Sequence, residues 1–338
     1  MSQSVKRFVL IAVGVVLAGS WGRAQAADDA PKLKYVYAAY GYSPGQPFSR
    51  PSGVFYDTNR GELYVADTGN GQIVILDNKG MPKARITHSV QDPGSGARSK
   101  GEPRGIVVLK NGDIVVTDSL CNYVDVLDFQ GRSVRKVWPG DLLKLDRTKV
   151  RPGCLALDAS GNIYLSVSGD ANEILVLSPG MSLKAEIGKM TVASSSMKAI
   201  TGLWVDRDGR IYATYAQGEC VRVYAPDGRM LTSFGAHEAG PNNFSLPSGL
   251  VTDAEGRVWV VDTMRHVVSV FKTEPADSVL KVSFVTLAIG GQGTAAGDLI
   301  YPTAIAGDGS SRIFVVERTG VRVQAFEVLL DKGPDKAG

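Results

Sequence analysis

The sequence has 338 residues, 37 Lys plus Arg against 34 Asp plus Glu, 44% apolar residues and 21% charged ones. That balance belongs to a folded globular chain and excludes both a disordered tail and a membrane bundle. The first 26 residues hold Lys6, Arg7 and Arg23 and no acid, so the remainder carries 34 charges of each sign. With no global field and no Lys/Arg cluster interleaved with aromatics, nucleic-acid binding drops out.

Residues 1–26 have the layout of a secretory signal: Lys6 and Arg7, an apolar run over 8–19, then Ala24-Gln25-Ala26 as a cleavage site. The run falls well short of the roughly 20 residues that cross a bilayer, and no cysteine near it can carry a lipid. The expectation is a periplasmic or secreted protein without a transmembrane segment.

From Pro51 onward the chain repeats itself six times, with units opening at Pro51, Pro103, Pro152, Ile200, Pro247 and Pro302, 52, 49, 48, 47 and 55 residues apart. Each unit alternates four- to six-residue runs of Val, Ile, Leu and Tyr with Gly/Asp/Asn/Pro turn signals, the pattern of antiparallel strands. In the first unit the strands are predicted at 53–56, 62–66, 73–76 and, more weakly, 84–87, with turns at 57–61 and 77–80. Four strands per unit and six units predict an all-β, six-bladed β-propeller over 27–330, followed by a polar tail over 331–338. A ring divides the core among blade interfaces, so one domain of this size is acceptable. The sixth unit supplies three strands only. The segment 34–41 runs into Phe48-Ser49-Arg50-Pro51 much as 231–235 runs into Phe244-Ser245-Leu246-Pro247, so it is expected to complete the last blade.

The pattern Pro-x-Gly-apolar, Asp, Gly-x-Ile/Leu-Tyr/Trp-Val-x-Asp-Thr, Ile/Val-x-Val resembles the NHL repeat, most closely at 247–271 and 51–76. Units three and four depart from it, having Val167 and Tyr215 where the others have Asp67, Asp118, Asp262 and Glu317. The resemblance implies a six-bladed propeller, a fold shared by protein-, RNA- and sugar-binding modules and by a few metal-dependent enzymes.

The turns between second and third strands share a rim with the connections between blades, and ligands collect on such loops. The candidate rim holds Arg104, Asp118, Tyr215, Asp262, Arg265, His266 and Arg318. The ordinary role of an acid before Thr-Gly or Ser-x is to accept backbone N–H bonds in its own turn. The alternative is that Asp67, Asp118, Asp262 and Glu317 point to the axis and hold Ca²⁺, an incomplete site with two blades lacking the acid. His88, His237 and His266 raise a Zn²⁺ reading. Peptide-amidating lyases, however, place histidine beside the blade-opening proline, and here those positions are Ser52, Arg104, Gly153, Thr201, Ser248 and Thr303. No cofactor is expected on the main reading. Three cysteines allow a Cys121–Cys154 disulfide if their Cα atoms lie within about 7 Å. Among the long inter-blade loops, Trp138-Pro139-Gly140 and Leu142-Leu143 are apolar enough to suggest a contact surface. The resulting expectation is a non-enzymatic scaffold binding a protein, peptide or glycan of the cell envelope. The alternative is a metal-assisted hydrolase or lyase, lactonase-like or amidating-lyase-like.

Overall fold

A computed structural model describes residues 30–91, 96–190, 199–240, 242–276 and 279–329. The leader and the polar tail expected from the sequence lie outside the described residues. No described helix is long and apolar enough to cross a membrane.

Six four-stranded antiparallel sheets form the blades. The first is Gly53–Asp57, Glu62–Asp67, Gln72–Asp77 and Pro82–Thr87, in the order expected. Burial explains the composition of each strand. Second strands such as Glu62–Asp67 are covered on both faces by neighbouring blades and read as near-continuous apolar runs. The outer strand Pro82–Thr87 is exposed at all but one position and carries Lys83 and Arg85. Each blade interface is a core cluster of its own; Leu63, Val65 and Leu76 of blade 1, for example, pack against Phe314 and Val316 of blade 6. At about 1.5–3 kcal/mol per buried aliphatic or aromatic side chain, these interfaces supply the main stabilising energy.

Around the axis the inner strands touch so closely that side chains are excluded, which gives the Pro-x-Gly motif its physical reason. A Cβ on Gly53 would lie 1.7 Å from the carbonyl oxygen of Arg104 in blade 2, and one on Gly202 would lie 2.7 Å from Gly249 Cα in blade 5. Side chains beside these contacts tie each blade to the next. Thr68 Oγ1 donates to the Pro103 carbonyl, Thr117 to Gly153, Thr201 to Pro247 and Thr263 to Pro302, all within 2.6–2.7 Å. The Cys154 thiol donates to Ile200 at 3.7 Å and Thr303 to Pro51 at 3.5 Å, so all six junctions are bridged.

The N-terminal strand Lys32–Ala39 pairs antiparallel with Arg322–Leu329 and is the outer strand of blade 6. The expected similarity of its exit to that of blade 4 holds in detail. Phe48 N–H donates to the Tyr40 carbonyl and Phe244 N–H to that of Ala236, and both rings are buried. The strand covers an edge that would otherwise be bare. A chain beginning at Gln46 lacks it and is expected to be insoluble; recovery of a folded, soluble truncate by circular dichroism and gel filtration would refute the closure.

Candidate functional site at the mouth of the ring

The four acids at the ends of second strands sit on the rim that carries the blade connections, and each is almost wholly buried. Asp67 accepts from Ser49 N–H, Asn70 and Gln72. Asp262 accepts from the N–H groups of Ser245, Leu246 and Arg265. Glu317 accepts from Ile300 N–H, Arg322 and Gln324. Ser49, Ser245 and Ile300 each lie two residues before the blade-opening proline, so the acids cap the incoming connection. Asp118 differs, accepting from Leu120 N–H on one oxygen and pairing with His88 on the other. All eight oxygens therefore have protein partners, and the four side chains do not converge. Among the described residues no group of three or more His, Cys, Asp or Glu is placed to hold a metal ion. The acids do not fit the Ca²⁺ ring allowed by their spacing, because backbone donors already occupy them.

The histidines do not gather either. His88 is buried between blades 1 and 2, His237 is exposed in the connection between blades 4 and 5, and His266 stands at the junction of blades 5 and 6. Two other rim candidates turn inward. The Tyr215 hydroxyl meets that of Tyr224 at 3.1 Å inside the interface of blades 3 and 4, under the guanidinium of Arg222. Arg265 spends one guanidinium nitrogen on the carbonyls of Gly240 and Asn243, pinning that loop. The loop expected to offer a contact surface is also satisfied internally. Pro139–Leu143 forms a short helix, Trp138 packs on Tyr123 beneath Arg147, and Leu142 and Leu143 join the core between blades 2 and 3.

What remains open at the mouth is cationic on one side. Equivalent positions in successive blades occupy equivalent places around the axis, and the residues before the opening proline are Arg50, Glu102, Arg151, Ala199, Leu246 and Tyr301. Arg104 follows the proline of blade 2, and Arg318 takes the place that Thr68 and Thr263 hold in their blades. The exposed arginines Arg318, Arg50, Arg104 and Arg151 thus come from the consecutive blades 6, 1, 2 and 3. Arg50 pairs with Glu102 at 3.0 Å, whereas Arg104, Arg151 and Arg318 have no side-chain partner among the described residues. Blade 4 carries the exposed acid Glu219 in the equivalent turn. At the end of the arc, His266 Nδ1 accepts from Tyr301 N–H at 3.0 Å, and the Tyr301 carbonyl accepts from Arg318 N–H. With Nδ1 accepting, Nε2 is the ring nitrogen that can donate. The positive φ of His266, 57°, matches Val321 at 54° and Gly71 at 65° in the same turn, so it belongs to the repeat.

Residues 48–76 match the family model of the NHL repeat. The chain carries an NHL repeat on a six-bladed β-propeller. A search of curated protein sequences found no match. Among solved structures it is similar to virginiamycin B lyase from Staphylococcus aureus, at 13% identity and TM-score 0.54 over 88% of this chain and 100% of that one. It is similar to a gluconolactonase from Xanthomonas campestris at 13% identity and TM-score 0.58, over 90% and 96% of the two chains. A luciferin-regenerating enzyme matches at 14% and 0.58, with the same coverage. At such identities the likeness is one of fold.

The propeller has all three cysteines as free thiols. The Cys121–Cys154 disulfide that the spacing allowed is not formed, because the two side chains face opposite ways. Cys121 packs with Val90, Tyr123 and Trp138 on the blade 1 side, while Cys154 bonds toward blade 4. Burial pushes Cys121 and Cys220 up to about 11 and also raises Cys154, so none is a ready nucleophile at neutral pH. Labelling the denatured, unreduced protein should count three thiols; fewer would mean a bridge.

The group that sequence reasoning missed is His88 with two carboxylates, Nδ1 2.9 Å from Asp118 and Nε2 3.4 Å from Asp125. Burial opposes its charge, but the two acids outweigh that and push His88 up to about 9. Because the folded value lies above the ordinary 6.5, the stabilisation is complete below about pH 6.5 and is lost as pH rises through about 9. Removing the ring strands two buried acids, so His88→Ala should cost about 3–5 kcal/mol at pH 7 in urea unfolding. The loss of stability between pH 7 and 10 should shrink in that variant; an unchanged pH profile would show that His88 is not the group titrating.

Proposed function

We propose that the chain is a propeller enzyme of the lyase or lactonase kind, acting on a small molecule at the arginine-lined mouth. The observation that carries this reading is the set of three unpaired arginines on one rim, Arg104, Arg151 and Arg318, with His266 at the Arg318 end of the arc and its Nδ1 accepting from Tyr301 N–H. Opening a cyclic ester, by water or by elimination, builds negative charge on oxygen, and fixed cationic donors stabilise that charge directly. His266 Nε2–H can donate to the leaving oxygen, while the arginines hold the anion that results. The full-length likeness to virginiamycin B lyase and gluconolactonase supports the same reading, as does the inactivity of a histidine-to-alanine form of the Staphylococcus aureus enzyme. The reading departs from the metal-assisted expectation because the carboxylates are committed to their own turns.

Binding of a protein, peptide or glycan of the cell envelope on the same rim is the second reading, favoured by exposed Leu120 and Met264 next to the arginines. Either activity belongs to an exported protein if residues 1–26 act as a leader.

The test is turnover of gluconolactone, other lactones and quinupristin by the purified chain. Activity should fall by about 10²-fold in an Arg104→Ala/Arg318→Ala double variant, which removes no contact of the fold. Absence of turnover across the panel, or full activity in the double variant, overturns the enzymatic reading. Envelope proteins captured by the wild type and lost in the double variant would then support the second.

A further inference from the structure

The interface of blades 1 and 2 is built unlike the other five. At the position of Asp125 the other blades have Val74, Leu175, Arg222, Ser269 and Gln324, aligned by their pairing with the second strand. Arg222 stacks on Tyr215 within its interface, Val74 and Leu175 are apolar, and Ser269 and Gln324 are buried and neutral. Blade 2 alone buries an acid there, and blade 1 sends His88 to meet it. Asp118 is drawn from capping its connection to pairing with the same ring. Gly101 makes room, since a Cβ would lie 2.5 Å from Asp118 Oδ2 and 2.6 Å from His88 Nδ1. Well-packed apolar residues would be at least as stable as this buried charge cluster, so stability alone does not account for it.

A cavity of about 310 Å³ opens on the cluster from the outer side of the ring, with the buried His88 and Asp125 at its floor. His88 is only 2% exposed, and its Nε2 lies 3.4 Å from Asp125 Oδ2 yet makes no hydrogen bond. Nε2 thus meets Asp125 at a distance that leaves it without a full hydrogen bond, and both residues line a space of the size of a small-molecule site. Ser89 lines a wall, Ser133 Oγ donates to Asp125 Oδ1, and Arg98 and Lys136 stand at the opening. The lining is mostly polar, which favours a polar ligand over an apolar one. A carboxylate and an imidazolium side by side suit hydroxyl groups that both donate and accept, and the cations at the opening suit a carboxylate.

We propose that this cleft binds a hydroxylated carboxylate of the uronic acid class, its hydroxyls on Asp125 and His88 and its carboxylate toward Arg98 and Lys136. The site is separate from the mouth of the ring and stands whether or not the mouth is catalytic.

Calorimetric titration of the full chain with glucuronate, glucose and inorganic phosphate tests this, together with the His88 ring resonances in NMR spectra. Glucuronate should bind and shift the His88 Cε1–H signal. It should bind about tenfold more tightly than glucose, and lose about tenfold in affinity in Arg98→Ala, where a charge-assisted bond is removed from an exposed residue. No glucuronate binding, binding that leaves His88 unmoved or is indifferent to Arg98→Ala, or phosphate binding as tightly as glucuronate overturns the proposal.

Discussion

Contact between inner strands around the axis is the constraint on which the molecule depends. In blades 1, 2, 4 and 5 the approach leaves no room for a side chain at Gly53, Gly105, Gly202 and Gly249, while blades 3 and 6 carry the small residues Cys154 and Ala304 there. The approach then brings Thr68, Thr117, Thr201 and Thr263 within reach of carbonyls in the next blade, so one local feature serves both packing and polar satisfaction. Blade 3 replaces Gly with Cys154 one position on from its Pro-Gly pair, and its thiol takes the place of the hydroxyl at a longer distance. The ring therefore tolerates a weak junction provided its neighbours are tight.

The same economy shapes the rim. A carboxylate at the end of a second strand could serve a ligand or its own backbone, and in blades 1, 5 and 6 backbone donors from the incoming connection claim it. Long connections are then held by arginines from neighbouring turns. Arg322 donates to the carbonyls of Thr294 and Asp298, and Arg265 to those of Gly240 and Asn243. The groups that stay available are those the scaffold does not use, chiefly Arg104, Arg151 and Arg318.

The fold was legible because it is repetitive. Alternation within a unit locates strands, recurrence of the unit locates blades, and the missing strand of the last unit points to the N-terminal segment as its complement. The site was legible only in part, since position on the rim can be read from a repeat but orientation cannot. Tyr215 lies where its alignment puts it, yet its ring turns inward, because Tyr224 and Arg222 partner it from the next strand. His88 and Asp125 were missed because their partners are far apart in sequence and each looks unremarkable locally, one in a loop and one among valines. The available signal was an acid in the middle of a third strand. Asp125 stands where blades 1 and 3 have Val74 and Leu175 and blades 5 and 6 have neutral Ser269 and Gln324, and a buried charge there needs a partner.

The closing of blade 6 has a temporal side. The strand Lys32–Ala39 leaves the ribosome before any blade exists, and its partner Arg322–Leu329 only after the other five blades, with Lys34 and Glu327 separated by 293 positions. Until that partner is made, the earliest strand has no mate and the growing array keeps an open edge, so the closure is long and entropically slow. A polypeptide of this design completes its circle in one late cooperative step.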